Sequence, residues 1–224
     1  MSDAEIGAGN WRLDWPVSSG TRVASAYLKT APEDFRVSEV MGEFPEHADS
    51  PGLLSVTGEG EHLCLYLEKT GDNTEFVAGA LATLTGCRSF DVGFCGLKDR
   101  HAVTRQWFSL YRPGMMEDDT ALIDQVSERW PVKSAHRSVR KLRRGDHQGN
   151  HFVITLRHVS ASREMVESAV GMANAEVGVS QAVAEMTGKT YCTFRLPAPG
   201  YSMKYWRHGW PMAVGGRRYR VSLM

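Results

Sequence analysis

The chain has 224 residues, 42% of them hydrophobic, and its 26 basic and 26 acidic side chains cancel to a formal net charge of zero. That length can bury a sizeable core as one large domain or two small ones, while no run approaches the roughly 18 apolar residues of a membrane span and the first residues carry no basic or apolar leader, so a cytoplasmic protein without a membrane partner is expected. Cys64, Cys87, Cys95 and Cys192 form no C-x-x-C and lack a His-x-x-x-His partner, so they read as buried thiols, and neither a disulfide framework nor a metal site is expected.

The first ten residues are weakly patterned and are expected to be disordered. Trp11, Leu13, Trp15 and Val17 then alternate as in an edge strand that ends at Ser18-Ser19-Gly20. Over residues 32–40 a second strand has a mixed face, with Phe35, Val37 and Glu39 on one side and Arg36, Ser38 and Val40 on the other. Residues 41–60, rich in Gly, Pro, Glu and Ser, read as a long loop. His62–Lys69 alternates again and predicts a strand; Asn73 predicts a helix N-cap, Phe76, Val77, Ala80, Leu81 and Leu84 an apolar stripe, and Gly86 the C-terminal stop.

Residues 91–110, reading D-V-G-F-C-G-L-K-D-R-H-A-V-T-R-Q-W-F-S-L, join an apolar approach to a β-rich run. Gly93 and Gly96 are expected to let the backbone turn, and Asp99 sits at the apex beside three potential cations, Lys98, Arg100 and His101. Adjacent positive charge favours an ionised carboxylate, as a nucleophile or base requires. The alternative is an aspartate that closes a turn within a solvated charge cluster.

After a turn at Pro113-Gly114, residues 121–129 are expected to be helical and residues 132–144 extended. Gly149–Arg157 predicts a strand, and Ser160 or Ser162 a cap for a helix bearing Met165, Val166, Ala169, Val170 and Met172. The aromatic, proline-rich tail ends in a short strand, Tyr219–Leu223. Strands and helices alternate without βαβ regularity, which predicts an α+β fold with a mixed sheet. Between residues 129 and 157 stand Arg129, Lys133, Arg137, Arg140, Lys141, Arg143, Arg144 and Arg157 against the single acid Asp146, interrupted by Trp130, His147, His151 and Phe152. One face is therefore expected to be positive and to meet a phosphate backbone, the alternative being a solvated face. A dinucleotide loop, a P-loop and a G-x-S-x-G elbow are all absent.

The run G-L-K-D-R-H-A-V-T-R-Q-W-F-S at residues 96–109 closely resembles the catalytic signature of the TruD family, the tRNA pseudouridine synthases that isomerise uridine 13. In order with it, residues 29–39 resemble the family's K-x-x-P-E-D-F-x-V-x-E block, residues 67–82 its E-K-x-G-x-N-T block, and Arg140-Lys141-Leu142-Arg143-Arg144-Gly145 with Gly149-Asn150-His151-Phe152 its R-K-L-R-x-G…G-N-x-F block. The resemblance implies one pseudouridine synthase-like catalytic domain over residues 1–224, with a largely antiparallel mixed sheet and flanking helices. It also implies an RNA isomerase, acting on tRNA, that needs no cofactor and works as a monomer. Asp99 would be the catalytic carboxylate, supported by Lys29, Glu33, Phe35, Asn150 and Phe152, with Lys29 the candidate for holding Asp99 ionised and Lys98 and Arg100 the alternatives. Lys98, Arg100, Arg140, Lys141, Arg143 and Arg144 would meet RNA.

Phe194 and Tyr201 resemble a C-terminal family element more loosely. Residues 159–191 contain neither the family's N-Y-F-G-x-Q-R-F-G motif nor its inserted domain. A non-catalytic RNA-binding module of the same fold, or a synthase acting on another RNA, is therefore the second expectation.

Overall fold

The computed structural model describes residues 24–42, 44, 54–162, 164, 165 and 168, with the backbone of three later strands. The strand expected at residues 11–17, much of the loop expected at 41–60 and most of the helix expected after Ser162 lie outside the described residues. At that helix's start the Ser162 hydroxyl accepts the Met165 N–H at 3.3 Å, the bond expected of a cap.

The described strands are β1 (Ala24–Leu28), β2 (Phe35–Val40), β3 (Thr57–Gly58), β4 (His62–Lys69), β5 (Gly93–Phe94), β6 (Val103–Tyr111), β7 (Val132–Ser138), β8 (Gly149–Arg157), β9 (Val183–Met186), β10 (Tyr191–Pro199) and β11 (Tyr219–Leu223). They form one sheet in the order β11-β1-β8-β2-β6-β4-β7-β3, with β10 against β8 and β9, and β5 against β6. The pairs β2/β6 and β3/β7 are parallel and the others antiparallel, so this is a mixed, largely antiparallel α+β sheet. β3 falls within the segment expected to be all loop, because Thr57 and Gly58 find free ladder positions beside His136 and Arg137.

Helix α1 (Thr74–Thr85) begins and ends where its caps predict. The Asn73 side chain accepts the Phe76 N–H at 2.7 Å, and Gly86 ends the helix in the left-handed region at φ 69°. Helix α2 (Asp119–Ser127) starts two residues before the expected 121, since Asp119 is drawn inward by a charge partner. Both helices cover one face of the sheet, where Val77, Leu81, Leu122, Ile123 and Val126 pack on Leu63, Leu65, Leu67, Phe108 and Leu110. Among the described residues no helix is long and apolar enough to cross a membrane.

On the other face Cys64 and Tyr66 pack with Met41, Phe44, Cys95, Trp107 and Leu142. Cys64 and Cys95 are buried as expected, and burial pushes the Cys64 thiol up to about 12 and raises that of Cys95 as well, so neither is a nucleophile near neutral pH. Cys87 is only half-buried, and the side chain of Cys192 lies outside the described residues.

Two cations of the expected basic face are structural instead. Arg137 is 1% exposed and grips Asp119 with two bonds of 2.7 Å, while its Nη1 donates to the carbonyls of Gly60 and Arg112 at 3.0 and 2.8 Å. This pair ties β7 to α2. Arg157 grips Asp34 at 2.7 to 3.0 Å and ties β8 to the turn before β2. Trp130 likewise leaves the surface; it is 5% exposed, and its indole N–H donates to Asp72 at 3.0 Å. Removing one partner of a buried pair leaves a charge without compensation. Asp119→Ala is expected to lower unfolding free energy by roughly 3–5 kcal/mol, read from urea unfolding.

Candidate functional site

The first two described strands are one interrupted strand. Leu28 stands opposite Leu156 of β8 and Phe35 opposite Ile154, so residues 29–34 all bulge out opposite the single Thr155. The excursion opens at Lys29 with φ 53°, a left-handed conformation unusual for a side chain that is not glycine. It closes in a one-turn 3-10 helix, Pro32–Asp34, where the Ala31 N–H donates to Asp34 at 3.0 Å.

The second loop, residues 95–102, leads from β5 into β6. Because β2 and β6 are adjacent and parallel, the segments entering them arrive at the same edge of the sheet. There the Lys29 ammonium donates to the Asp99 carboxylate, with the two side chains 20% and 25% exposed. The pair is thus held by the protein and open to a ligand. The same ammonium lies 3.9 Å from the centroid of the Phe35 ring. Phe35 in turn meets Phe152 edge-on, with centroids 6.1 Å apart.

Sheet register explains why these groups share a face. Lys69, Thr104, Val37 and Phe152 are cross-strand neighbours on β4, β6, β2 and β8. One pleat along, Asn150 pairs with Glu39. All point to the helix-covered face, over which residues 96–99 are held by Gln106, Thr74 and Lys69. Asn150 is 6% exposed; its amide nitrogen lies 3.4 Å from His147 Nε2, and its Oδ1 has no hydrogen-bond partner among the described residues. A buried acceptor left without a donor is a place for a ligand's N–H. Burial lowers the pKa of the neighbouring His147, which keeps that imidazole neutral at pH 7. Asn150 makes no bond to Asp99. Glu33 stands exposed on the 3-10 turn, its backbone carbonyl accepting Arg36 Nε at 3.4 Å.

Polar groups hold the Asp99 loop along its length. Gln106 donates to the Gly96 carbonyl, Thr74 Oγ1 donates to Gln106 Oε1 at 2.9 Å, and the same hydroxyl accepts the Lys98 N–H at 2.9 Å. Gly145 N–H caps the Cys95 carbonyl at 2.9 Å. Arg100 and Gly71 exchange bonds of 3.0 and 2.7 Å, and Gly71 at φ 85° is where the chain leaves β4 for α1. Gly93 and Gly96 do not supply the expected turn through positive φ. Gly93 is instead needed for close approach, since a Cβ there would stand 2.3 Å from the Leu142 carbonyl.

Lys98 corrects the expectation that it meets RNA. Its ammonium bonds Glu39 Oε1 at 2.9 Å with side chains 2% and 0% exposed, and Glu39 Oε2 accepts the Trp107 N–H at 3.0 Å. Arg140, Lys141, Arg143 and Arg144 lie on the loop after β7, beside the Asp99 loop. Arg143 is exposed, while Arg140 and Arg144 side chains are 52% and 53% exposed. Arg140 stands 3.7 Å from Asp146, Arg144 stacks over Phe94, and Lys141 donates to the Phe90 carbonyl. The groove lined by Arg36, Ser38, Glu68, Arg105 and His151 opens on the opposite face, away from Asp99.

Sequence reasoning overlooked Glu39, Lys69, Thr74 and Gln106 as site residues. Two of them carry a signal: Glu39 continues the apolar positions Phe35 and Val37, and Lys69 continues Leu63, Leu65 and Leu67, so each puts a charge where the alternation calls for an apolar side chain.

Residues 18–184 match the family model for tRNA pseudouridine synthase D (TruD). The tRNA pseudouridine synthase D of Marinobacter nauticus is 65% identical over 159 residues, which are 70% of this chain and 45% of that protein. Its counterpart in Cellvibrio japonicus is 44% identical over 154 residues, 68% of this chain and 43% of that protein. The chain therefore spans less than half the length of these relatives. A crystal structure from Methanosarcina mazei, assigned as tRNA pseudouridine synthase D, superposes with a TM-score of 0.52 at 21% identity, covering 75% of this chain and 35% of that one.

The contrast between buried and exposed cations is measurable. Lys98→Met should lower unfolding free energy by roughly 3–5 kcal/mol, whereas Arg143→Ala on the exposed loop should change it by no more than about 0.5 kcal/mol. Urea unfolding of both variants checks this.

Proposed function

Since the chain belongs to the TruD family, we propose that it isomerises uridine to pseudouridine in tRNA, at uridine 13, with Asp99 as the catalytic carboxylate. The observation that carries this reading is the partly exposed Lys29–Asp99 pair beside Phe35 and Phe152, over a face where Asn150 offers a buried acceptor without a partner. The reaction breaks the bond from uracil N1 to C1′, turns the base, joins C5 to C1′ and releases the C5 proton, while N1 takes up a proton. It is an isomerisation, so one carboxylate suffices, by attack on the sugar or the base or by removal of a sugar proton.

Each neighbour has a part. Lys29 orients Asp99 and supplies a fixed positive charge. The target nucleotide must leave its stack, and the edge of the Phe35–Phe152 pair offers the flipped base an aromatic wall. Asn150 Oδ1 suits the uracil N3–H. The exposed Arg140, Arg143 and Arg144, with Lys141 and Arg100 beside the same loop, are oriented towards phosphates of the surrounding RNA. Lys98, engaged with Glu39, has no such part. Glu33, exposed on the bulge, fits a contact with substrate at the rim. The continuity of the described strands supports a single catalytic domain.

Asp99→Asn is expected to abolish tritium release from tRNA labelled at uracil C5 while leaving tRNA affinity within about threefold, because the phosphate contacts remain. Retained turnover would remove Asp99 from the mechanism, and a wild-type chain that binds tRNA without releasing tritium would favour the RNA-binding module. Replacing Arg140, Lys141, Arg143 and Arg144 together should weaken binding and reduce the slope of log affinity against log salt by roughly 0.7–0.9 for each phosphate the variant no longer neutralises. Filter binding across a salt series reads that slope.

A further inference from the structure

Lys69 occupies a place that the strand pattern gives to a leucine. It follows Leu63, Leu65 and Leu67 onto the helix-covered face and is 2% exposed. A buried ammonium is costly unless it is paired. Among the described residues the Lys69 ammonium donates to two backbone carbonyls, Asp72 at 2.9 Å and Asp99 at 3.3 Å. One carbonyl belongs to the turn between β4 and α1; the other belongs to the candidate catalytic residue itself.

We propose that Lys69 is a positioning residue, which ties the backbone of Asp99 to the turn between β4 and α1 so that the carboxylate meets the target nucleotide at a fixed place and angle. The proposal rests on the reading of Asp99 as the catalytic carboxylate. Two lysines then hold one aspartate from different elements. Lys29 reaches its carboxylate from the bulge, and Lys69 reaches its carbonyl from the floor of the sheet. The Gly71 N–H bond to the Arg100 carbonyl secures the following residue to the same turn. An aspartate fixed at both ends loses little freedom when substrate arrives, which is where an oriented catalytic group gains its advantage.

A charged tether behaves differently from an apolar one in mild alkali. Burial brings the Lys69 pKa down to about 8, against the opposing pull of Asp99 and Asp72 and with the help of Lys98; these are the charged groups that face it from the loop and the turn. Its ordinary value is 10.5. Between these two values the unfolded chain holds a proton that the folded chain has released, so this group adds stability as pH rises. Over the same range the Lys69 charge at the Asp99 carbonyl disappears, while Lys29 stays at the carboxylate. Turnover and stability should therefore move in opposite directions.

The test compares the wild-type chain with Lys69→Met, by tritium release from tRNA labelled at uracil C5 and by amide hydrogen exchange. In the variant kcat should fall at least about tenfold with KM within about threefold, and amides of residues 97–100 should exchange at least about tenfold faster while those of β4 and β6 hold their rates. In the wild type kcat should decline above pH 8 at steady KM, a limb absent from the variant. Unchanged loop exchange, or unchanged kcat, overturns the proposal. Should Lys69→Met fail to fold, the wild-type profile decides: a decline near pH 8 supports the tether, and a level kcat through pH 9 overturns it. The exchange measurement needs no turnover, so a wild type that makes no pseudouridine would overturn the reading of Asp99 while exchange still decides on the tether.

Discussion

The edge of β6 changes partner partway along its length. Residues 103–105 pair with β2, residues 108 and 109 pair with β5, and between them the N–H of Trp107 would face no strand. Glu39 closes this fork by accepting that N–H, and Tyr66 braces the strand by donating to the Glu39 carbonyl at 3.1 Å. A carboxylate sealed in such a place needs a cation, because Coulomb attraction and hydrogen bonds must offset the loss of water. Lys98 provides one, and Lys98 is the residue before Asp99. The repair of a fork in the sheet thus fixes the loop that carries the candidate catalytic group.

Two kinds of rigidity meet at this site. Residues 95–102 are held by hydrogen bonds with Gln106, Thr74, Lys69, Gly71 and Gly145, drawn from β6, α1, β4, the turn between β4 and α1, and the loop after β7. Residues 29–34 are held by interruption of a strand, with Arg157 clamping Asp34 at the far end of the bulge and a left-handed Lys29 at the near end. Backbone strain at Lys29 persists because the strands on either side over-determine its position. The Lys29–Asp99 pair and the adjoining aromatic edges stay partly exposed. A flipped base needs that combination of a fixed reacting group and an open approach.

A net charge of zero conceals a sorting of charges by depth. Arg137 with Asp119 and Lys98 with Glu39 are engaged inside the protein, and a partly exposed Arg157 holds the buried Asp34; each pair joins different elements. Arg140, Arg143 and Arg144 stay on the surface beside the Asp99 loop. The positive face is thus narrower than the run between residues 129 and 157, and it lies next to the site rather than along a whole strand.

Local chemistry made much of the fold legible. Period-two alternation located β4 to the residue, a β-rich run after a glycine located β8, and Asn73 and Gly86 bounded α1, because these signals depend only on near neighbours in the chain. The family motifs gathered Lys29, Asp99, Phe35, Asn150 and Phe152 as one set. Their geometry was only partly legible: the resemblance put Lys29 first among the cations for Asp99, but that Lys98 is sealed against Glu39, that Arg137 turns inward, and that Asn150 bonds no part of Asp99 follow from strand order. The parallel placing of β2 beside β6 brings residues 70 positions apart into one hydrogen bond. Chain order alone thus settled which residue types were at hand and where β4, β8 and α1 would run. The pairing of charges was settled by folding, because burial and partner distance set the energy of an ion pair, and neither quantity is a property of neighbours along the chain.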